Sequence, residues 1–240
     1  TLITNYENPI PMTQIIPAIL PHDFNDLRNS LAKVAGIAQT IQIDICDGVF
    51  VKSRTWPMNP HDSDSIEPIL AEEEGIPFWD AVDFEFDLMV QNAHEQFEFF
   101  TRLGAKKVIF HIEAESDKEK FKEFLEGLDM YTRENIEIGV AINTTTPIET
   151  LKPFISSIDF VQCMGIEHIG AQGEPFDERV LSQIKSLRVL YPELIISVDG
   201  SVNEETAPLL VQAGANRLVV GSALMKSFDM RETMRELESI

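Results

Sequence analysis

The chain has 240 residues, 44% of them apolar, which is enough for one full-sized globular domain and short of two comfortable ones. Forty Asp and Glu against nineteen Lys and Arg leave a formal net charge of −21, a balance that repels nucleic-acid phosphates and anionic lipid surfaces. Two cysteines, Cys46 and Cys163, exclude a disulfide scaffold and a four-cysteine zinc site and point to a reducing cytoplasm.

The first residues, Thr1 to Met12, carry no basic stretch followed by an apolar core. No apolar run approaches the roughly 18 residues of a membrane span, so the expectation is a soluble, uncleaved, cytoplasmic chain. From there, short apolar runs alternate with longer amphipathic stretches, as strand and helix units over a parallel sheet do. The strand candidates are Gln14 to Leu20, Thr40 to Ile45, Asp83 to Val90, Lys107 to Ile112, Ile136 to Ile142, Asp159 to Met164, Leu194 to Val198 and Arg217 to Val220. Helices are predicted to open near Asp23, Ser65, Ala93, Asp117, Pro147, Asp177, Glu204 and Asp229. The start at Thr146, Pro147 and Glu149 is the best marked, because it reads as an N-cap, a first-turn proline and a capping-box acid.

Eight units at about 30 residues each match a (β/α)8 barrel better than an open sheet of about five or six strands. The predicted fold is therefore α/β, a single-domain TIM barrel over residues 1–240. Its irregular part is a long insertion at about 51–82, rich in Pro and acid and carrying Lys52, Arg54, Trp56 and Trp79. Such a segment reads equally as a lid or as a contact between copies of the chain in a homo-oligomer.

Side chains two apart on a strand share a face, so a polar residue within an apolar strand reveals what that face lines. Ile41, Ile43 and Ile45 form one row for packing under helices, leaving Gln42 and Asp44 on the other. Phe84, Phe86 and Leu88 likewise leave Glu85, Asp87 and Met89 together. The polar rows are predicted to face the barrel interior, with Ile109 and His111, Gly139, Ala141 and Asn143, Gln162 and Met164, and Ser197 and Asp199 continuing them. Asp44, Asp87, His111 and Asp199 then meet at the carboxyl ends of the strands, where barrel enzymes keep their active sites. A lone carboxylate there serves as readily as a cap, and His111 could equally be a structural histidine. Three acids facing one small volume are another matter, since unless paired, metal-bound or protonated they repel one another. Met89 and Met164 would form the floor.

Glycines recur after the last three strands: Gly165, Gly170 and Gly173, then Gly200 with Ser201, then Gly221 with Ser222. Bare backbone N–H groups at these ends are the recurrent phosphate cradle of the architecture, against the plainer reading as turn residues. A strongly acidic chain does not steer a phosphate from afar, so local dipoles are expected to hold it, helped by Lys52 or Arg54 and a cation.

Taken together, several pieces resemble the ribulose-phosphate 3-epimerases. They are Pro17-Ala18-Ile19-Leu20 with Asp23-Phe24, Ile43-Asp44-Ile45-Cys46-Asp47-Gly48-Val49-Phe50-Val51, Asp87-Leu88-Met89-Val90, Asn143 with Thr146-Pro147, Val198-Asp199-Gly200, and Ala213-Gly214-Ala215-Asn216 leading to Gly221-Ser222. The resemblance runs from Ile16 to about Met225 and implies a cytoplasmic isomerase of carbohydrate metabolism, in the pentose phosphate pathway. Its reaction would be epimerisation at C3 of a ketopentose phosphate, D-ribulose 5-phosphate to D-xylulose 5-phosphate, by two-base proton transfer. The acid/base positions fall on Asp44 and Asp199, and Met89 and Met164 match methionines near the reacting carbons. The family pattern holds a divalent metal with two histidines and two aspartates; here Gln42 and Asp87 stand at the histidine positions. Ala18 replaces a substrate-contacting serine, and the loop Gly165 to Gly173 follows the pattern only loosely. The quartet Gln42, Asp44, Asp87 and Asp199 offers oxygen ligands alone, so Mg²⁺ or Mn²⁺ is expected over Zn²⁺ if any ion is bound.

Two other readings compete. A sister sugar-phosphate decarboxylase or aldol-type synthase would need an Asp-x-Lys-x-x-Asp signature, and Asp44-Ile45-Cys46-Asp47 offers no lysine. A catalytically silent sugar-phosphate-binding barrel would explain the lost histidines but has no need to retain two opposed acids.

Overall fold

A computed structural model describes residues 13–240; the reading of Thr1 to Met12 falls outside them. Eight parallel strands close into a barrel in chain order: β1 (Gln14–Ile19), β2 (Thr40–Cys46), β3 (Asp83–Met89), β4 (Ala105–His111), β5 (Glu137–Ile142), β6 (Phe160–Met164), β7 (Ile195–Asp199) and β8 (Arg217–Val220). Every predicted strand is present, and the chain is a single-domain TIM barrel. No helix among the described residues is long and apolar enough to cross a membrane.

The outer layer holds α1 (Phe24–Val34), α2 (Ser63–Leu70), α3 (Phe97–Arg102), α4 (Lys118–Gly127), α5 (Met130–Asn135), α6 (Arg179–Leu190), α7 (Ala207–Ala213), α8 (Ser222–Met225) and α9 (Met230–Glu238). Local chemistry starts several of them. The Asp23 carboxylate accepts from the Asp26 N–H at the head of α1, and the buried stripe Leu27, Leu31 and Val34 seats that helix on the sheet. Asp117 and Asp229 cap α4 and α9 in the same way.

The helix expected at Thr146 does not form. Pro147 is extended, with φ −60° and ψ 134°, and only a 3-10 turn follows over Ile148–Leu151. The Thr146 hydroxyl that should have capped it donates instead to the Glu113 carboxylate at 2.6 Å, which also accepts from the Asn143 N–H. A long-range partner has captured the local cap. The opening expected near Ala93 is a 3-10 turn over Ala93–Gln96 leading into α3. The one expected at Glu204 lies three residues later, because the Asn203 side chain accepts from the N–H groups of Glu205 and Thr206 and makes a turn there first.

The insertion is anchored under the barrel mouth. The buried Thr55 hydroxyl donates to the Asp44 carbonyl at 2.9 Å and accepts from the Cys46 N–H at 2.8 Å, and Trp56 beside it is fully buried. Asp47 ties the ends of β2 and β3 together by accepting from the N–H groups of Val49, Phe50 and Gln91.

Alternation along the strands resolves the two faces as expected. Ile41, Ile43 and Ile45 pack in the layer under the helices, while Gln42, Asp44, Glu85 and Asp87 turn into the lumen, with Asp44 beside Asp87 in register. Below them Arg217, the one buried lysine or arginine among the described residues, pairs with Glu85 across the lumen. Its guanidinium lies 4.4 Å from the centre of the Phe160 ring. That ring occupies the place where a side chain at 139 would begin, since a Cβ on Gly139 would meet it at 2.5 Å. Replacing Arg217 by Met should leave Glu85 buried without a partner and destabilise the fold by about 3–5 kcal/mol in urea unfolding. The double replacement with Glu85→Leu should recover most of that loss, and an additive double variant would show that the pair is not coupled.

Candidate active site

The lumen opens at the carboxyl ends of the strands into a cleft. Asp44, Asp87, Met89, Met164 and Asp199 line it together with Gly170, Gly173, Gly200, Ser201, Gly221 and Ser222. Residues that alternation and glycine position had singled out separately thus share one cavity. His111 and Gln42 lie behind this surface, fully buried, and touch the acids instead of the cavity. Neither Lys52 nor Arg54 is among the lining residues; Arg54 bridges back to Asp47. Residues that the sequence reading passed over include Ile166, Val219, Gln172 and Glu174. Val219 was recoverable, because it follows Arg217 by two on β8; no local signal marks Gln172 or Glu174.

One ligand oxygen from each of Asp44, Asp87 and Asp199 lies within 4.8 Å of the other two. The His111 Nε2 contacts Asp87 Oδ1 at 2.9 Å, and the Phe50 ring leans over the imidazole at 5.7 Å. Burial alone would disfavour the imidazolium, yet the Asp87 carboxylate outweighs it and His111 holds its proton above the ordinary histidine range. Gln42 donates from one nitrogen to Asp44 Oδ1 and to Asp199 Oδ2, each at 2.8 Å. Arg217 offsets Glu85 and His111 offsets Asp87, so Asp44 and Asp199 face each other with one neutral amide between them. Burial, then the charges of Asp199 and Asp87, push Asp44 well above the usual carboxylate range. Burial and Asp87 raise Asp199 to about 7.

Two facing carboxylates without a cationic partner, Asp44 buried and Asp199 half-buried, are satisfied by protons or by one divalent cation. The donors fit such an ion: they are all oxygen if the Gln42 amide turns, and Asp87 Oδ2 is buried with no partner. An oxygen set of this kind suits a hard cation.

The glycine-rich strand ends that line the cleft are tightly constrained. Gly200 has φ +108°, and a Cβ there would meet Ile166 at 2.8 Å, so the turn after β7 needs glycine. Ser201 follows at φ +53° with its hydroxyl donating to the Glu174 carbonyl, which fastens the β6 loop to the β7 loop.

Residues 14–225 match the family model of the ribulose-phosphate 3 epimerase family. A Bacillus subtilis ribulose-phosphate 3-epimerase is 31% identical, over 94% of this chain and 98% of that protein. The chain belongs to the ribulose-phosphate 3-epimerase family. A cytoplasmic isoform of the enzyme from Oryza sativa is 26% identical over 93% of the chain and 92% of its own length. Among solved structures, KGPDC from Streptococcus mutans superposes with a TM-score of 0.65 at 12% identity, covering 95% of this chain and 96% of that one. The 3-hexulose-6-phosphate synthase of Salmonella typhimurium gives 0.64 at 13%, covering 94% and 97%. At such identities these two likenesses establish the barrel and nothing of the chemistry.

The raised carboxyls make stability depend on pH. In the metal-free folded chain Asp199 keeps its proton up to about pH 7, whereas an unfolded aspartate loses it near about 3.9. The stability this confers is complete below about pH 4 and lost as pH rises through about 7. Urea midpoints of the metal-free protein should therefore fall across that window relative to those of Asp199→Asn, and millimolar Mg²⁺ should suppress the fall. Parallel profiles for the two proteins would contradict the assignment.

Proposed function

We propose that this barrel is a ketose-phosphate 3-epimerase acting on D-ribulose 5-phosphate and D-xylulose 5-phosphate. The observation that carries the reading is the pair Asp44 and Asp199, brought together in the lumen from β2 and β7, in a cleft also lined by glycine-rich strand ends. Family membership supplies the reaction class.

The chemistry follows from the substrate. The C3 proton lies next to the C2 ketone, so its removal delocalises charge onto oxygen as an enediolate. One carboxylate takes the proton from one face, and the acid on the other face returns a proton to C3 with inversion. A carboxyl titrating near neutrality suits both halves of the cycle, since one acid must begin charged and the other protonated. Gln42 holds both acids at fixed positions, and His111 holds Asp87. Met89 and Met164 wall the site with apolar, polarisable surface that keeps water from the reacting carbon. A divalent cation held by Asp44, Asp87 and Asp199 with the Gln42 oxygen, Mg²⁺ or Mn²⁺ by its donor chemistry, would supply positive charge beside the C2 and C3 oxygens.

The residues that line the cleft include no lysine or arginine. The phosphate is therefore read by backbone N–H groups of Gly200, Ser201, Gly221 and Ser222 together with the Gly170 to Gly173 loop.

Replacing Asp44 or Asp199 by Asn should lower turnover by about 10² to 10⁴, the loss expected for a missing general acid or base. Solvent-deuterium incorporation at C3 of ribulose 5-phosphate measures it directly, with Mg²⁺, Mn²⁺ or Zn²⁺ added in turn. Full turnover in both variants would refute their roles, and absence of exchange under every condition would favour a silent binding barrel.

A further inference from the structure

The Gln42 side chain is fully buried in the lumen, and its amide is used unevenly. Nε2 serves two acceptors, Asp44 Oδ1 and Asp199 Oδ2, each at 2.8 Å, while Oε1 is buried without a partner. Without a cation this orientation gives each of the two facing acids a hydrogen-bond donor. The two N–H bonds diverge, one to each acid, whereas an oxygen turned inward would add a third set of lone pairs to a pocket already short of positive charge. With a cation between the acids the preference reverses, because an N–H bond pointed at the ion is repelled and an amide oxygen is a good hard-metal ligand. A half-turn about the terminal bond exchanges nitrogen and oxygen in nearly the same space, so neither β2 nor the packing behind it has to move.

We propose that Gln42 is a two-position switch: its amide nitrogen braces Asp44 and Asp199 when no cation is bound, and its oxygen joins them as a ligand when a hard divalent cation enters. The inference rests on the reading of this pocket as a site for such a cation. Entry of the ion gives up two hydrogen bonds to carboxylates, so the site binds it more weakly than a fixed oxygen donor would and exchanges it readily. An ion that prefers nitrogen or sulfur gains little from the turned amide, which makes Gln42 a determinant of hard-over-soft selectivity.

The test is NMR of the metal-free protein with glutamine side chains labelled with ¹⁵N, the Gln42 signal being assigned by its loss in Gln42→Met. The Gln42 amide protons should be protected from solvent exchange before addition and should shift and lose protection on saturation with Mg²⁺. Calorimetric titration with Mn²⁺ should show Gln42→Glu, which presents oxygen permanently, binding at least about tenfold more tightly than the wild type. Gln42 signals that stay in place while Mg²⁺ saturates the protein would overturn the switch, as would a folded Gln42→Glu that binds Mn²⁺ no better than wild type. Should that variant not fold, the NMR titration of the unaltered protein decides alone. A wild-type protein that binds neither ion yet exchanges deuterium at C3 would overturn this inference and leave the epimerase reading intact; an amide that turns in a protein without exchange would do the reverse.

Discussion

Three carboxylates brought within 4.8 Å of one another in a closed barrel are the constraint around which the rest of the structure is arranged. Asp44, Asp87 and Asp199 come from β2, β3 and β7, strands separated in sequence, and like charges so placed oppose folding unless something else neutralises them. The chain meets the difficulty in layers. His111 answers Asp87, and one layer below, Arg217 answers Glu85 with its guanidinium laid on Phe160. Gln42 spans the remaining pair with hydrogen bonds but no charge. What is left over is a demand for about two protons or one divalent ion at the place where a small ketone would bind, so the stability cost and the chemical capacity of the site have one origin.

The scaffold serves that centre from outside. Asp47 and Thr55 lock the ends of β2 and β3 with hydrogen bonds to backbone, fixing the two strands that carry Gln42, Asp44 and Asp87. The strands themselves are seated by aliphatic rows such as Ile41, Ile43 and Ile45 under the helices. Directly after Asp199 the β7 turn needs Gly200, and Ser201 binds the β6 loop down against it. Rigid strand ends hold the acids, and loops complete the cleft around them, the usual division of labour in this architecture.

Much of this was legible in the sequence because period-two alternation is a strong signal. All eight strands, the interior rows Gln42 with Asp44 and Glu85 with Asp87, and the glycine turns after β6, β7 and β8 stand where alternation and composition put them. What escaped depends on partners distant in sequence. Thr146 has every mark of a helix cap, yet Glu113 takes its hydroxyl. His111 stands on the inner row that alternation predicts, but alternation does not tell that its nitrogen contacts Asp87 behind the cavity wall. Arg217 begins an apolar strand and reads as its solvent end until Glu85, 132 residues away, is seen opposite it. Gln172 and Glu174 reach the cleft only through the course of an irregular loop, which carries no period to read.

The central claim is that Asp44 and Asp199 address opposite faces of the same carbon, and stereochemically resolved proton exchange tests it most directly. Each epimer is incubated in D₂O with Asp44→Asn or with Asp199→Asn, and loss of the C3 proton is followed by NMR. Two opposed bases predict a crossed result, in which one variant still exchanges the proton of one epimer and fails on the other, and the second variant does the opposite. Loss of exchange from the same epimer in both variants, or undiminished exchange from both epimers in either one, would contradict it.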